Sequence, residues 1–320
     1  MIGVIRGTGS YAPQKRVSNN DLAKFVETSD QWIYERTGIS YRHIAEEETT
    51  TSMAVEAAKR ALKKSGLLSV EVDMIIVATV SSEVIVPSTA CVVQSEIGAT
   101  NAIAFDLNAA CSGFIFGYNT AQAYISLGVA KNVLVIGVES LSKIVNWKER
   151  DTCVLFGDGA GAVLLQAEEG EYCKPVMHSN GSLGKALTCN NLYPDGTKND
   201  THYLQMDGHE VFKFATKQVP NVIEELLESL NIAKDEIDCF VVHQANQRIV
   251  EVLARRLECD IQKFPMNIGE YGNTSSASIP ILLDELYREG ELKPGMKVVV
   301  SGFGAGLTWG AAYMEIAEEK

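Results

Sequence analysis

Cys111 lies in the run DLNAACSGFIFGYNTAQAYI, where small residues hand over to an apolar-periodic segment, so its thiol is expected at a helix N-terminus. Free backbone N–H groups and the positive end of the helix dipole stabilise a thiolate there. A fall in pKa from roughly 8.5 to about 7 would raise the ionised fraction at neutral pH from a few per cent to about half, which makes a nucleophile. His243 stands in VVHQANQRI, carried by the strand-like run DCFVV to a strand's C-terminal end, with a helix starting near Asn246. Asn273 stands in GEYGNTSSAS, on a glycine-flanked turn that opens another apolar helix. Each alone could be structural. Cys, His and Asn at three junctions of the kind where open α/β sheets gather their chemistry point to nucleophilic catalysis.

The elements that must position these residues repeat. VEVDMIIVA and DEIDCFVVH align with Asp73 opposite Asp238, FDLNAACS and GEYGNTSS with Asn108 opposite Asn273, and NVLVIGV and KVVVSGF with Val133 opposite Val298, every pair 165 residues apart. The chain is therefore read as an internal duplication, with Cys111 facing Ser276 across the repeat and His243 and Asn273 supplied by the second half alone. Each half alternates apolar runs such as MIIVATV with periodic segments such as MAVEAAKRALKKSG, which predicts an α/β fold of parallel sheets buried by helices. The boundary falls near residue 167, giving halves 1–167 and 168–320. No Gly/Ser- or Pro-rich linker divides them, so they are expected to pack as one unit.

The glycine-rich strings DGAGAVLLQ and GFGAGLTWGAAYMEI read as tight turns between strands in each half. They do not make a dinucleotide site, because a strand-like run follows instead of a helix and no acidic ribose ligand stands in place. Such a loop can aim backbone N–H groups at a reacting carbonyl. The segment between Glu168 and Asp207, with His178, His202 and NLYPDGTKND, reads as a polar loop with solvent-facing histidines.

Against 28 Lys and Arg stand 41 Asp and Glu, a net charge of −13, which argues against nucleic acid and anionic membrane as partners. Seven cysteines form no CxxC or other metal-ligand spacing, and their odd number without a signal peptide suggests a reducing cytoplasm. No apolar run approaches the roughly 20 residues of a membrane span.

With WIYERTGI, AACSGF, CVLFGDGAGA, HQANQRI, GNTSSAS and GFGAGLTWG together, the chain resembles the β-ketoacyl-acyl carrier protein synthase III family along essentially its whole length. Elongating synthases resemble it less, since they use two histidines, and plant-type polyketide synthases lack the WIYERTGI and HQANQRI contexts. The resemblance implies a thiolase-like fold, two α/β halves packed as one αβαβα unit, and a homodimer. It implies acyl transfer from acyl-CoA to Cys111, then decarboxylative Claisen condensation with malonyl-acyl carrier protein, with His243 and Asn273 hydrogen-bonding the malonyl thioester oxygen. No metal or cofactor is implied; acyl-CoA is a substrate.

Further roles follow residue by residue from the same resemblance. The acyl-enzyme oxyanion is given to the backbone N–H of Cys111 and of the Gly304–Ala305 turn, Ala305 standing where many relatives have glycine. Trp32 and Arg150 would stack the CoA adenine, and Arg36, Thr37, Gly208 and Asn246 would line the pantetheine channel. Lys213, Lys217, Arg248, Arg255 and Arg256 would form a basic rim for the acidic carrier protein. Val86 stands before Pro87 where the family often has an aromatic that closes the acyl pocket across the dimer, so a roomier pocket for branched or longer primers is expected.

Three rivals remain at this level. A papain-like cysteine hydrolase would share Cys, His and Asn but not the duplicated α/β pattern. A non-catalytic acyl-CoA-binding module would have no need of the triad. A relative in secondary metabolism or quinolone synthesis would deliver the acyl group to another acceptor.

Overall fold

The computed structural model describes residues 1–190 and 203–317; His202 and the NLYPDGTKND run lie outside the described residues. The first sheet takes five strands: β1 (Ile2–Tyr11), β2 (Met74–Ala78), β3 (Ile103–Leu107), β4 (Asn132–Glu139) and β5 (Gly159–Glu168), in the order β1-β5-β4-β2-β3. The second takes four: β6 (Val176–Ser179), β7 (Cys239–Val242), β8 (Lys297–Gly304) and β9 (Thr308–Glu315), in the order β7-β8-β9-β6. The two orders correspond strand for strand, β2 with β7 and β4 with β8 at the 165-residue offset and β1 with β6 and β5 with β9 at others, with the equivalent of edge strand β3 missing. In its place stands a helical turn, Ile268–Tyr271, that leads to Asn273.

Strand period explains the layering. In β2, Met74 and Ile76 face a core shared by both sheets, while Ile75 and Val77 face the opposite side. Between the sheets lie the helices Gly113–Ser126 and Ser278–Arg288, whose Phe114, Ile115, Ile279 and Leu283 belong to that shared core. Helices Thr50–Ser65 and Thr89–Ile97 cover the outer face of the first sheet, and Gly208–Leu230 and Gln247–Leu257 that of the second. The result is αβαβα, with strands apolar on both faces because both are covered.

Three expectations need correction. The sheets are mixed: β2 pairs in parallel with β3 and β4, and β7 with β8, but β5 runs antiparallel to β4 and β1, and β9 antiparallel to β8 and β6. Helical crossovers give the parallel pairs, whereas β8 meets β9 through a three-residue turn that reverses the chain. DGAGAVLLQ is not a turn but strand β5 itself. A Cβ on Gly161 would lie 2.5 Å from the Ile281 backbone nitrogen, so glycine there admits the central helix against the sheet. His178 is likewise not in a loop; it sits on β6, 2.8 Å from a Glu225 oxygen and tilted against the Trp309 ring at 5.3 Å.

Candidate active site

Cys111 occupies the short turn Ala110–Ser112 that opens the central helix Gly113–Ser126. Ala110, immediately before it, adopts a left-handed φ of 48°, a conformation that a residue with a Cβ holds only at a cost of about 1–2 kcal/mol. His243 follows the last residue of β7, its N–H donating to Ser301 O at 2.9 Å. Asn273 is clamped to the other half of the molecule: its N–H donates to Leu155 O at 2.8 Å and its carbonyl accepts from Gly157 N–H at 3.0 Å. Its side-chain Oδ1 accepts from Ser275 N–H at 2.8 Å, which leaves the amide NH₂ to donate.

A tunnel of 210 Å³ joins these residues to the surface. Cys111, His243, Asn273 and Gly304 line its inner end, Trp32, Arg36, Thr37, Gly208 and Asn246 also contribute to its wall, and Leu155, Phe156, Phe303 and Leu307 make much of it apolar. Cys111 also faces a second, wider chamber of 1460 Å³, bounded by Ser81, Ile85, Leu141, Ser275 and Ala305 among others. The thiol therefore sits where two cavities meet. Gly304 packs directly on it: a Cβ there would come within 2.6 Å of Cys111 N and 2.9 Å of Ser112 N.

Electrostatics departs from the sequence reading at the thiol. Burial pushes Cys111 up to about 12, outweighing the Ser275 hydroxyl and the thiol's own backbone N–H, and the nearby Glu139 carboxyl raises it further. The helix terminus is present as expected, but desolvation of a buried anion is the larger effect. Burial pushes His243 down to about 3, so its imidazole is neutral. Its Nδ1 is 2.7 Å from Ser278 Oγ, which leaves Nε2 for the tunnel, and its ring meets Phe303 edge-on at 5.3 Å.

At the tunnel's outer end Trp32 lies against two guanidinium groups, Arg36 and Arg150, each 4.5 Å from the ring centroid. No flat ring fits between Trp32 and Arg150 at that spacing, since two stacking gaps need about 7 Å. An adenine would have to displace an arginine. The Thr37 hydroxyl is spent on Ile33 O at 2.7 Å and Ile39 N–H at 3.0 Å. Asn246 is spent likewise, donating to Arg36 O at 3.0 Å and accepting from Arg248 N–H at 2.9 Å. Both are wall and brace in this state, not free donors. Gly208 opens its helix beside Asp207, which caps it.

The basic residues separate into two groups. Lys213 and Arg248 are exposed beside the tunnel-lining Phe212, Phe214 and Ile249, with Arg248 5.9 Å from the Phe212 ring. Lys217 lies one turn further along its helix. Arg255 and Arg256 sit in the last turn of Gln247–Leu257, about 10 Å along the axis from Arg248. Val86 is 80% exposed and lines neither cavity of its own chain, although its neighbours Val84 and Ile85 line the wider one. Among the described residues no group of three or more His, Cys, Asp or Glu could hold a metal ion, and no helix is long and apolar enough to cross a membrane.

Two family signatures match this chain: 3-oxoacyl-[acyl-carrier-protein (ACP)] synthase III over residues 105–181 and its C-terminal part over residues 227–316. A β-ketoacyl-[acyl-carrier-protein] synthase III of Clostridium perfringens is 48% identical over 320 residues, covering 98% of either chain. The chain belongs to the β-ketoacyl-[acyl-carrier-protein] synthase III family. It is an acyl-transferring condensing enzyme. The crystal structure of the synthase III from Aquifex aeolicus VF5 has a TM-score of 0.93 at 45% identity, covering 98% of this chain and 99% of that one. A priming β-ketosynthase from the R1128 polyketide biosynthetic pathway has a TM-score of 0.95 at 33% identity, covering 100% of this chain and 97% of that one. The expected thiolase-like synthase III fold and membership of the family are both met.

In this synthase III, sequence reasoning missed Ser275, Ser278 and Glu139, which surround the thiol and the imidazole. The first two sat inside the GNTSSAS motif without a role of their own. Glu139 did carry a signal: it ends the otherwise apolar buried strand NVLVIGVE, opposite Gly304 in the repeat.

Proposed function

We propose that this chain carries out the priming condensation of fatty acid synthesis, with Cys111 as acyl acceptor, and that the meeting of two cavities at Cys111 is what carries this reading. The mainly apolar tunnel, lined from Trp32 to Cys111, would take a pantetheine arm, and the wider cavity on the other side of Cys111 would take the acyl group. Cys111 attacks the thioester of acyl-CoA, the oxyanion is held by its own N–H and one from the Gly304–Ala305 turn, and CoA departs. Malonyl-acyl carrier protein then enters by the same tunnel, loses CO₂, and its enolate carbon attacks the acyl-Cys111 thioester, releasing the cysteine and a 3-oxoacyl carrier product.

The neutral His243, through Nε2, and the Asn273 amide donate to the malonyl thioester oxygen as enolate charge develops. In a mainly apolar tunnel that charge has few other partners, and one such donor is worth about 10²- to 10³-fold in rate. Trp32, Arg36 and Arg150 take the CoA adenine end, with Thr37, Gly208 and Asn246 as channel wall. Lys213 and Arg248 receive the acidic carrier, with Lys217, Arg255 and Arg256 as an outer field. No metal or cofactor enters the scheme.

A homodimer is supported by an unpaired sheet edge. Strand β3 is the edge of its sheet, and Ile103, Val84, Ile85 and Val86 are 58%, 50%, 74% and 80% exposed nearby in the chain. Val86 would then reach the acyl chamber of a second copy. Seven free cysteines suit the reducing cytoplasm.

The test is intact-protein mass after incubation with acetyl-CoA, for the parent and Cys111→Ala, followed by malonyl-carrier. An acetyl adduct found only with Cys111 and discharged as 3-oxoacyl-carrier supports the reading. An adduct that ignores malonyl-carrier would replace it with transfer to another acceptor, and no adduct from any acyl-CoA would end it.

A further inference from the structure

Glu139 is fully buried at the end of β4, and among the described residues no cation pairs with it. Its two oxygens differ in what surrounds them. Oε2 accepts from Val80 N–H at 3.1 Å and from the Ser81 hydroxyl at 2.6 Å; Ser81 Oγ itself accepts Ser140 N–H at 2.8 Å, so its proton is directed at the carboxyl. Oε2 is thus an acceptor. Oε1 faces the hydroxyls of Ser276 at 3.1 Å and Ser275 at 3.2 Å. The Ser276 proton has a closer acceptor in Ala78 O at 2.8 Å, which leaves its oxygen able to receive a proton from Oε1. Oε1 can therefore be bare or protonated with both states hydrogen-bonded.

Ser275 connects this oxygen to the thiol. Its hydroxyl and Cys111 line the same wide cavity, where the hydroxyl favours the ionised thiol, and its backbone is held by φ 51° and by the bond of its N–H to Asn273. The turn cannot drift from β4: a Cβ on Gly137 would lie 2.1 Å from Ser276 O. Among the described residues the segments that hydrogen-bond the carboxyl, Thr79–Ser81 and Ser275–Ser276, carry no titratable group; the nearby ones are Cys111 and Asp158, the latter next to Gly159, the partner of Glu139 across the sheet. The thiol makes no hydrogen bond to His243 or to Ser275 at rest among the described residues, the Ser275 hydroxyl being turned to Glu139, and the thiol, raised by its burial, has to lose a proton to react.

We propose that Glu139, acting through Ser275, takes the Cys111 proton during acylation and returns it after condensation. In acylation the S–H bond breaks as Sγ bonds the acyl carbon: Sγ passes its proton to Ser275 Oγ, Ser275 passes its own to Glu139 Oε1, and CoA leaves as a thiolate that takes a proton from water. In condensation the enolate carbon displaces Cys111 as a thiolate, which regains the proton from Glu139 by the reverse route. One proton from water is consumed per turnover, matching loss of CO₂ from the malonyl carboxylate. Glu139 touches no substrate; it is a positioning residue for that proton, placed where burial has lifted its affinity for one to about 7.

This inference rests on Cys111 being the acylated residue, and the experiment separates the two. Single-turnover acylation by acetyl-CoA and alkylation of Cys111 by iodoacetamide are followed by mass across pH 6 to 9, for the parent, Glu139→Gln, Ser275→Ala and the double variant. Glutamine reproduces the protonated carboxyl, with its NH₂ donating where Oε1–H would. A relay predicts that both single variants slow acylation at least tenfold, within what acid–base catalysis contributes, and that the double variant is no slower than the worse single. It also predicts that the alkylation midpoint falls in Glu139→Gln, where a negative neighbour is gone, and rises in Ser275→Ala, where a thiolate hydrogen bond is gone. Acylation unchanged within twofold in either single variant overturns the relay, as do alkylation and acylation slowed by one common factor, or multiplying losses in the double variant. Should Glu139→Gln not fold, Ser275→Ala alone decides by the same split. No adduct on Cys111 in the parent overturns the acyl-acceptor assignment instead.

Discussion

Ala110 and Ser275, 165 residues apart, hold the same left-handed backbone, φ 48° and 51°, and each sets the next residue at the mouth of a central helix: Cys111 in one half and Ser276 in the other. The duplication has kept the strained turn in both halves. It has given the two residues opposite employment, Cys111 facing both cavities and Ser276 facing Ala78 O and Glu139.

Moving the thiol across the pseudo-symmetry should therefore fail. In a Cys111→Ala, Ser276→Cys double variant, intact mass after acetyl-CoA should show no adduct, because position 276 is 1% exposed and lines neither cavity. An acetyl group mapped to the peptide that carries position 276 would contradict this placement.

Gly304→Ala should cost both activity and stability. The added methyl would meet the Cys111 nitrogen at 2.6 Å, and relief by backbone shift at a packed site costs about 1–3 kcal/mol. A melting curve and a single-turnover acylation rate read the two effects; an unchanged acylation rate would detach this glycine from the thiol's geometry.

His243 and Glu139 should bend the stability profile in opposite directions. His243, held at about 3 against an ordinary 6.5, takes up a proton on unfolding, so its contribution is whole above about pH 6.5 and is lost as pH falls toward 3. Glu139, held at about 7 against 4.5, keeps its proton in the folded chain, so its contribution is whole below about pH 4.5 and is lost as pH rises through 7. Denaturant midpoints across pH should show His243→Gln flattening the loss of stability on the acid side and Glu139→Gln removing the loss that sets in as pH rises from 4.5 to 7. Parallel profiles for parent and variants would sink both assignments.

Charge reversal should sort the basic residues. Arg248→Glu is expected to raise the apparent KM for malonyl-carrier severalfold with acetyl-CoA loading unchanged, and Arg255→Glu with Arg256→Glu to do less, being about 10 Å further along the helix. Equal loss in loading and condensation would point to a fold defect instead of docking.

Primer choice should follow the size of residue 86. If Val86 closes the chamber of a second copy, Val86→Phe should lower kcat/KM for isobutyryl- and hexanoyl-CoA relative to acetyl-CoA, by an amount in the range of about 1–3 kcal/mol. A parent strictly selective for acetyl-CoA would remove the premise.

Much of the site was legible in order of residues. Cys111, His243 and Asn273 were found because strand-to-helix and turn-to-helix junctions leave local marks: an apolar run, a glycine or small-residue turn, then helical spacing. Trp32, Arg36, Gly208 and Asn246 came from the family resemblance, and the structure does bring them to one tunnel. The mistaken reading of DGAGAVLLQ as a turn shows the limit, since glycine in a strand that admits a helix and glycine in a turn are spelled alike; only the Pro280–Ile281 backbone packed on Gly161 distinguishes them.

What the sequence by itself determined is the repeat, the alternation of strand and helix, and the candidate side chains Cys111, His243 and Asn273, because these depend on neighbours within a few residues or on self-similarity along the chain. What only the tertiary structure decided is the state of those side chains. That Cys111 is raised and not lowered, that Glu139 lies near it and hydrogen-bonds Ser275, that Arg150 lies over the ring of Trp32, and that Val86 is exposed and lines neither cavity are all set by desolvation and contact among segments far apart in sequence. A local pattern can place a thiol at a helix terminus, but how much water and which charges surround it is a sum over the folded whole.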